Sequence, residues 1–202
     1  MSAGFAKKDS ETPAGGAKAR VPPGQKVVQN WPVFTHGGRV PRIDLSQWRF
    51  SVGGLVEEER TFTWEEFTCL PQVTIISDVH CVTHWSRLDN RWAGVPAREV
   101  VKIVRPKPEA RFVMVHCHRG YTTNLRTDDL LGDDALFALK HDSEPLSPEH
   151  GGPLRLVVPK LYFWKSAKWV RGLVFMDRER PGFWEMSGYH IRGDPWKEER
   201  YS

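Results

Sequence analysis

Long apolar runs are absent from this sequence of 202 residues. The longest one covers five residues, 135–139, whereas a membrane-spanning helix needs about 20 apolar residues. The first ten residues, MSAGFAKKDS, hold neither an apolar stretch nor paired arginines, so they do not have the pattern of an export signal. These absences argue against a helical membrane protein, and they predict a cytoplasmic location with no membrane partner.

Cysteine is scarce as well, with three residues: Cys69, Cys81 and Cys117. Three thiols cannot all pair, and cytosolic proteins normally keep their thiols reduced. We therefore expect no disulfide framework, and each thiol needs its own explanation.

A large excess of one charge is also missing from most of the chain. The formal net charge is +4, of which residues 1–30 carry +3, from five Lys or Arg against two acidic residues. That basic segment has no groove-reading motif and no aromatic residue except Phe5. We therefore expect no nucleic-acid partner.

Large apolar side chains are sparse at the N-terminus, and this predicts the domain organisation. Residues 1–30 hold five Ala, four Gly and three Pro, a composition that buries too little surface to offset the entropy of ordering. All nine tryptophans lie from Trp31 onward. The sequence therefore predicts a flexible N-terminal arm, residues 1–30, and one domain, residues 31–202.

Local patterns predict a strand-rich, mixed α+β domain. Thr63 and Glu66 fit a capping box at the start of a short helix that Pro71 closes. Pro96 suits the first position of a second helix, with Val100, Val101 and Val104 on one face. The predicted strands are 48–52, a buried strand at 73–76, 111–118, 135–140, 154–158 and 173–176.

Cys81 lies between His80 and His84, just after the strand predicted at 73–76. A neighbouring imidazolium or a metal lowers the pKa of a thiol, so Cys81 is a candidate metal ligand or nucleophile. A buried cysteine that packs as a small apolar residue is the alternative. A second group, His116, Cys117 and His118, does not suit zinc, because neighbouring residues of a strand point to opposite faces. We expect Cys117, and likewise Cys69, to lie in the core.

Basic residues cluster around the apolar stretch 156–159. Arg155 precedes it, and Lys165, Ser166 and Lys168 follow it, with glycines at 151 and 152. Arginine, lysine and hydroxyl groups are suitable ligands for a phosphate. A solvated basic loop is the alternative, but the aromatic residues at 162–164 and 169 favour a partly buried site that needs an anion.

Five motifs resemble, in order, the molybdopterin-binding domain of the sulfite oxidase family. They are HCVTHWS at 80–86, GYTTN at 120–124, EHGGPLRLVVP at 149–159, YFWKSAKWV at 162–170 and GFWEMSGYHIRGDPW at 182–196. The likeness spans about residues 31–200 and is strongest to the small, single-domain prokaryotic members. It implies the mixed α+β fold of that family and a molybdenum-molybdopterin cofactor.

The resemblance also implies roles for individual residues. Cys81 matches the thiolate that binds molybdenum, and the pterin phosphate falls on Arg155, Ser166 and Lys168. Further matches are His36, Asn124 and His150 for hydrogen bonds to the pterin, and Tyr189 and Trp92 for the aromatic wall of the substrate cavity.

The substrate is less well indicated, because the sequence departs from the family pattern after Cys81. Sulfite oxidases carry an arginine pair where this chain has Trp85 and Ser86, followed by Arg87. The sulfoxide-reducing branch has a glutamate where this chain has Thr83. We expect a two-electron oxygen-atom transfer on a small substrate, with sulfur compounds among the candidates, and an external electron-transfer partner.

Two other functions remain open at this point. A thiol hydrolase would pair Cys81 with His80 or His84 as its base. A non-catalytic domain would bind an anion or a pterin at the loop 165–168 without redox chemistry.

Overall fold

A computed structural model describes residues 17–35 and 38–202 of the chain. The helices and strands follow one another along the sequence with strands in the majority. The strands are β1 (Lys26–Val27), β2 (Arg49–Gly54), β3 (Arg60–Thr63), β4 (Val73–His80), β5 (Trp85–Pro96), β6 (Phe112–Cys117), β7 (Thr122–Arg126), β8 (Leu136–His141), β9 (Glu144–Pro145), β10 (Arg155–Val157) and β11 (Val170–Met176). The α-helices are α1 (Trp64–Thr68), α2 (Ala97–Val104), α3 (Thr127–Leu130) and α4 (Phe183–Met186). Short 3-10 helices cover Ala17–Arg20, Leu45–Gln47, His118–Gly120, Pro148–His150, Phe163–Lys165 and Pro195–Lys197.

The strands form two mixed sheets. The five-stranded sheet has the order β3-β2-β11-β6-β7, in which β11 is parallel to β2 and antiparallel to β6. The six-stranded sheet has the order β1-β5-β8-β10, with β4 on the other side of β5 and β9 beside β8. This confirms the prediction of a mixed, strand-rich α+β fold.

The main core lies between the two sheets. Phe50 of β2 and Phe137 of β8 bring their ring centroids within 5.1 Å of each other, and Phe67 of α1 packs against both. All three side chains are fully buried. The alternation predicted for β2 is present, since Phe50 and Val52 are buried and their neighbours on the strand are not.

Both predicted helices form. At α1, Thr63 Oγ1 accepts from the Glu66 amide while the Glu66 carboxylate accepts from the Thr63 amide, which is the predicted capping box. At α2, the three predicted valines are buried, but Pro96 occupies the N-cap, so the helix begins at Ala97, one residue later than predicted.

Two burial predictions are wrong. The strand predicted at 73–76 extends to His80, and its residues Val73 and Ile76 are 37% and 44% exposed, because β4 pairs with β5 alone and lies at a sheet edge. Cys69 is exposed because it caps the C-terminus of α1 instead of lying within the helix. Cys117, in contrast, is buried in the core as predicted.

The prediction of a flexible arm over residues 1–30 is wrong for residues 20–28. Strand β1 pairs in parallel with the start of β5, and Arg20 forms an ion pair with Asp78 at 2.5 Å. Backbone pairing needs no apolar side chains, which is why composition gave no sign of it. Residues 1–16 lie outside the described part of the chain.

Within the described residues, no helix is long and apolar enough to cross a membrane.

Candidate active site

A cavity of about 330 Å³ lies where loops of both sheets meet segment 31–35. Six of the nine side chains predicted for the site line it: Cys81, His150, Arg155, Ser166, Lys168 and Tyr189. These residues come from four separate stretches of the chain, so the fold brings the sequence motifs together in one place.

Cys81 begins the four-residue turn between β4 and β5. Its amide donates to the Trp85 carbonyl at 2.8 Å, and its carbonyl accepts from the His84 amide at 3.1 Å, which closes the turn. The thiol lies 3.1 Å from Thr83 Oγ1. Burial raises the pKa of the Cys81 thiol, while the nearby Thr83 hydroxyl and the Arg200 guanidinium act in the opposite direction.

The two imidazoles beside Cys81 are engaged elsewhere. His80 Nδ1 lies 2.8 Å from Ser86 Oγ, and burial lowers the pKa of His80 to about 4. His84 Nδ1 lies 2.9 Å from the Gly24 carbonyl oxygen. The contact of the Cys81 thiol is with Thr83, so the geometry does not form the Cys-His pair that a thiol hydrolase needs.

Arg155 enters the cavity from the start of β10 and is 1% exposed. Its guanidinium donates to the carbonyls of His150 and Ser166, both at 2.7 Å, and lies 4.3 Å from the centroid of the Phe163 ring. Its Nε atom is buried without a partner. Burial lowers the pKa of Arg155 to about 9, and among the described residues no carboxylate pairs with it.

Lys168 is the second cation of the cavity. Its ammonium donates to the carbonyls of Phe34 and Glu149, at 2.7 and 2.5 Å. Burial, and next the positive charge of Arg155, lower the pKa of Lys168 to about 7. Gly151, at φ +106°, packs closely against the side chains of both cations. A Cβ at this position would lie 3.0 Å from Arg155 Cβ and 3.1 Å from Lys168 Cβ, so a larger residue would crowd them.

His150 presents an unsatisfied polar atom beside these cations. Its ring stacks on Trp31, with centroids 4.2 Å apart and planes 11° apart, and its Nδ1 lies 3.2 Å from Ser147 Oγ. Its Nε2 is buried without a partner. His150 Nε2 and Arg155 Nε are thus buried polar atoms at the cavity that a ligand can satisfy.

The two polar side chains of segment 165–166 face different surroundings. Ser166 lines the cavity, and its Oγ accepts from the Val158 amide at 2.9 Å. Lys165 instead forms a buried ion pair with Glu185 at 2.6 Å and donates to Asn124 Oδ1 at 2.8 Å. The prediction that Lys165 belongs to the anion-binding cluster is therefore wrong, because a carboxylate already neutralises its charge.

The remaining predicted residues lie in three different places. Tyr189 lines the cavity and stacks on Trp184 at 4.9 Å. Trp92 and Asn124 do not line it: Trp92 is fully buried behind Trp31, and Asn124 binds the ammonium of Lys165. His36 lies outside the described residues.

Arg87, the arginine nearest in sequence after Cys81, does not line the cavity. Its guanidinium pairs with Asp142 at 2.6 Å and donates to the Gln29 carbonyl at 3.0 Å. Asp142 is 55 residues away in the sequence, so this pairing was not predictable from the local motif.

Several residues of the cavity wall were missed by the sequence analysis. Trp31 was noted only as the start of the domain, and His118 only as an unsuitable zinc ligand, yet both line the cavity. His118 Nε2 is also buried without a partner. Exposed Arg119 follows it with φ 64°, an unusual backbone conformation for a residue other than glycine. Their place directly before GYTTN was the available signal.

Comparisons with known proteins show what the chain is similar to. A family described as the oxidoreductase molybdopterin binding domain matches residues 36–184. The chain is 48% identical over 184 residues to the uncharacterized oxidoreductase YuiH of Bacillus subtilis (strain 168), covering 91% of this chain and 92% of that protein.

More distant similarities cover smaller shares of larger proteins. The chain is 26% identical to the protein-methionine-sulfoxide reductase catalytic subunit MsrP of Campylobacter jejuni, covering 71% of this chain and 54% of that protein. The sulfane dehydrogenase SoxCD from Paracoccus pantotrophus shares the fold, with a TM-score of 0.65 and 21% identity, over 87% of this chain and 56% of that one.

Proposed function

Because this chain belongs to the family of oxidoreductases with a molybdopterin-binding domain, we propose that it uses a molybdenum-molybdopterin cofactor for two-electron oxygen-atom transfer on a small substrate. The observation that carries this proposal is that one cavity holds the Cys81 thiol and two cations without carboxylate partners, the buried Arg155 and the half-buried Lys168.

The residues of the cavity fit the cofactor. Arg155 and Lys168 lose hydration without gaining an anion, which is costly unless an anionic ligand completes the site. Arg155 Nε and His150 Nε2 are buried donors or acceptors without partners. A phosphate supplies the charge and the acceptor atoms that these groups lack, and the stacked pair of His150 and Trp31 lies beside it.

We assign the phosphate to Arg155, Ser166 and Lys168. Arginine offers a planar fork of donors and lysine a compact charge, so together they fix both the position and the orientation of the anion. The Ser166 hydroxyl already accepts from Val158, which leaves its own proton free to donate to a phosphate oxygen. His36 and Asn124 remain predictions for contacts to the pterin.

Cys81 is proposed as the protein ligand of the metal. Within residues 17–35 and 38–202, no three His, Cys, Asp or Glu side chains lie close enough to hold a metal ion, so the other ligands would come from the cofactor. When bound, the cofactor supplies the redox-active metal and the oxygen-atom chemistry.

Tyr189 holds a proton at the same cavity. A phenol is protonated at neutral pH, and burial raises the pKa of Tyr189 further, so Oη can donate a hydrogen bond to a substrate oxygen. The aromatic wall around it, including Trp85 and Trp164, excludes water from that side. Tyr189 therefore orients a substrate, while Trp92 supports the wall from behind Trp31.

An uncharged sulfur compound suits this cavity better than sulfite. The arginine nearest to Cys81 in sequence, Arg87, pairs with Asp142 and does not line the cavity, and Phe, Trp and Tyr make up nine of the 21 residues that do. Because one relative is a protein-methionine-sulfoxide reductase catalytic subunit, we propose a sulfoxide as the substrate class and a separate electron-transfer protein as the donor.

Metal analysis of the purified chain, combined with Cys81→Ser, tests the proposal. We expect about one molybdenum per chain, and a fall in oxygen-atom transfer by orders of magnitude in the variant. Near-native turnover of Cys81→Ser with molybdenum bound would exclude the ligand role. A chain that binds a pterin phosphate but neither molybdenum nor tungsten would instead be a non-catalytic binding domain.

The substrate class is tested separately with the loaded enzyme. Turnover of dimethyl sulfoxide and methionine sulfoxide with a reduced dye is compared with sulfite oxidation. Faster turnover of sulfite than of both sulfoxides would contradict the proposed substrate class and leave the metal site unaffected.

A further inference from the structure

The turn that carries Cys81 accepts two side-chain hydrogen bonds, one from residue 25 and one from residue 200. Gln25 Nε2 donates to the Cys81 carbonyl at 3.0 Å. Arg200 donates to the next carbonyl, that of Val82, at 2.7 Å. The two carbonyls belong to consecutive peptide groups, so the two hydrogen bonds hold the backbone directly after the Cys81 Cα, from which the thiol extends.

The segments around residues 25 and 200 also contact each other. Arg200 makes a second hydrogen bond, to the Pro23 carbonyl at 3.3 Å, and its guanidinium lies 5.0 Å from the centroid of the Tyr162 ring. The residue after Gln25 continues the contact, since the Lys26 amide donates to the His84 carbonyl at 2.9 Å. Both segments therefore meet on one side of the turn.

Arg200 is a nearly buried cation within this contact. The side chain is 8% exposed, and its nearest carboxylate oxygen, from Glu198, is 3.8 Å away, beyond hydrogen-bond distance. Its main partners are therefore the two backbone carbonyls. Residues 25 and 200 both lie outside the segment 36–184 that matches the family.

We propose that Gln25 and Arg200 are positioning residues that fix the Cys81 turn, and with it the geometry in which the Cys81 sulfur meets the metal. The inference rests on the proposed function, in which Cys81 is the metal ligand. Both residues act through the backbone of the turn and touch neither metal nor substrate.

Hydrogen exchange of the chain without cofactor gives the first test. Gln25→Met and Arg200→Met remove one donor group each and keep a long side chain. We expect exchange of the Cys81 and His84 amides to become roughly five- to tenfold faster in each variant, because one hydrogen bond that holds the turn is lost. Exchange in the five-stranded sheet should stay unchanged.

The chain offers a matched control for each variant. Gln72 donates its side-chain amide to the Thr68 carbonyl at 2.7 Å on the surface. Arg49 donates to the carbonyls of Ser46 and Trp48, as Arg200 does to its two carbonyls. Gln72→Met and Arg49→Met should leave exchange at the Cys81 turn within about twofold of the native rate.

The Mo(V) electron paramagnetic resonance spectrum of the loaded enzyme gives the second test, since it responds to the orientation of a sulfur ligand. We expect shifted line positions in Gln25→Met and Arg200→Met, and native spectra in both controls. Unchanged exchange at the turn, faster exchange throughout both sheets, or native spectra in both variants would overturn the positioning role. A native spectrum that Cys81→Ser does not alter would instead overturn the proposed function.

Discussion

Two lysines three residues apart, Lys165 and Lys168, meet opposite surroundings. Lys165 Nζ lies 2.6 Å from Glu185 Oε1 and 2.7 Å from the Ile191 carbonyl oxygen. Lys168 Nζ contacts backbone carbonyls, and burial, together with Arg155, lowers its pKa to about 7. Lys165, a buried cation with its own carboxylate, belongs to the fold, whereas Lys168, a half-buried cation without one, fits the proposed site for an external anion.

The largest effect is expected from breaking the buried pair. Lys165→Met leaves the Glu185 carboxylate buried without its cation, so the free energy of unfolding should fall by about 3–5 kcal/mol. Urea denaturation of the chain without cofactor measures this. The exposed pair of Lys102 and Glu99, at 2.7 Å, provides the control, and Lys102→Met should cost less than about 1 kcal/mol.

A second variant sharpens this result. Lys165→Met combined with Glu185→Gln removes both charges and should recover part of the lost stability, because no uncompensated ion remains. If the double variant is as unstable as Lys165→Met, packing and not charge pairing is the role of Lys165.

The unpaired lysine should behave in the opposite way. Lys168→Met removes a positive charge that has lost part of its hydration. The chain without cofactor should therefore be as stable as the native protein or more stable. Cofactor affinity should fall roughly ten- to a hundredfold, as expected for the loss of one charge-assisted hydrogen bond. Molybdenum content after growth with limiting molybdate measures the loss, and Lys140→Met, which removes an exposed lysine, is the control.

Arg155→Met should lower occupancy to a similar extent, since Arg155 faces the same cavity. Equal losses in Lys140→Met and Lys168→Met would mean that net charge, and not the site, governs occupancy.

The sequence predicted that Lys168 lies beside Arg155 and Ser166, but it did not predict the surroundings of Lys165. The residue types and motifs around Arg155, Ser166 and Lys168 predicted an anion site, and all three line one cavity. The local pattern gave no sign that Lys165 turns away, because its direction depends on Glu185, 20 residues later, and on the 3-10 helix Phe163–Lys165.

The same limit applies to the fold. Alternation predicted β2 and the capping box predicted the start of α1, since both signals are local. The pairing of β1 with β5 depends on backbone hydrogen bonds, which leave no pattern in the side chains, and Arg20 pairs with Asp78, which lies 58 residues later. Asn124 was placed near the pterin by resemblance, whereas its observed contact is with Lys165.

The pH dependence of anion binding gives a smaller effect. The unbound Lys168 has a pKa of about 7, and a bound phosphate raises it, so the affinity that depends on this charge is complete below pH 7 and declines above it. Between about pH 7 and 8 a phosphate monoester, with a second pKa near 6, keeps its charge, and Arg155, with a pKa of about 9, stays protonated. Calorimetry with a small phosphate monoester should show affinity falling up to about tenfold per pH unit. A Lys168→Met chain should give a flat profile, and an equal slope in that variant would assign the titration to another group.

The smallest effect concerns His141, a buried base that stays neutral beside a paired cation. Arg87 Nη1 lies 2.8 Å from His141 Nε2, and burial lowers the pKa of His141 to about 4. The unfolded chain binds a proton at an ordinary pKa near 6.5 while the folded chain does not, so stability falls as the pH decreases through that range. Between pH 6.5 and 5.5 the loss from this one group should be about 1 kcal/mol.

The slope of unfolding free energy against pH should therefore be shallower by that amount in His141→Gln. His80, with a pKa also lowered to about 4, contributes equally to both proteins. Identical slopes would mean that His141 takes up its proton at an ordinary pKa in the folded chain as well, so that the cation beside it does not exclude a second charge.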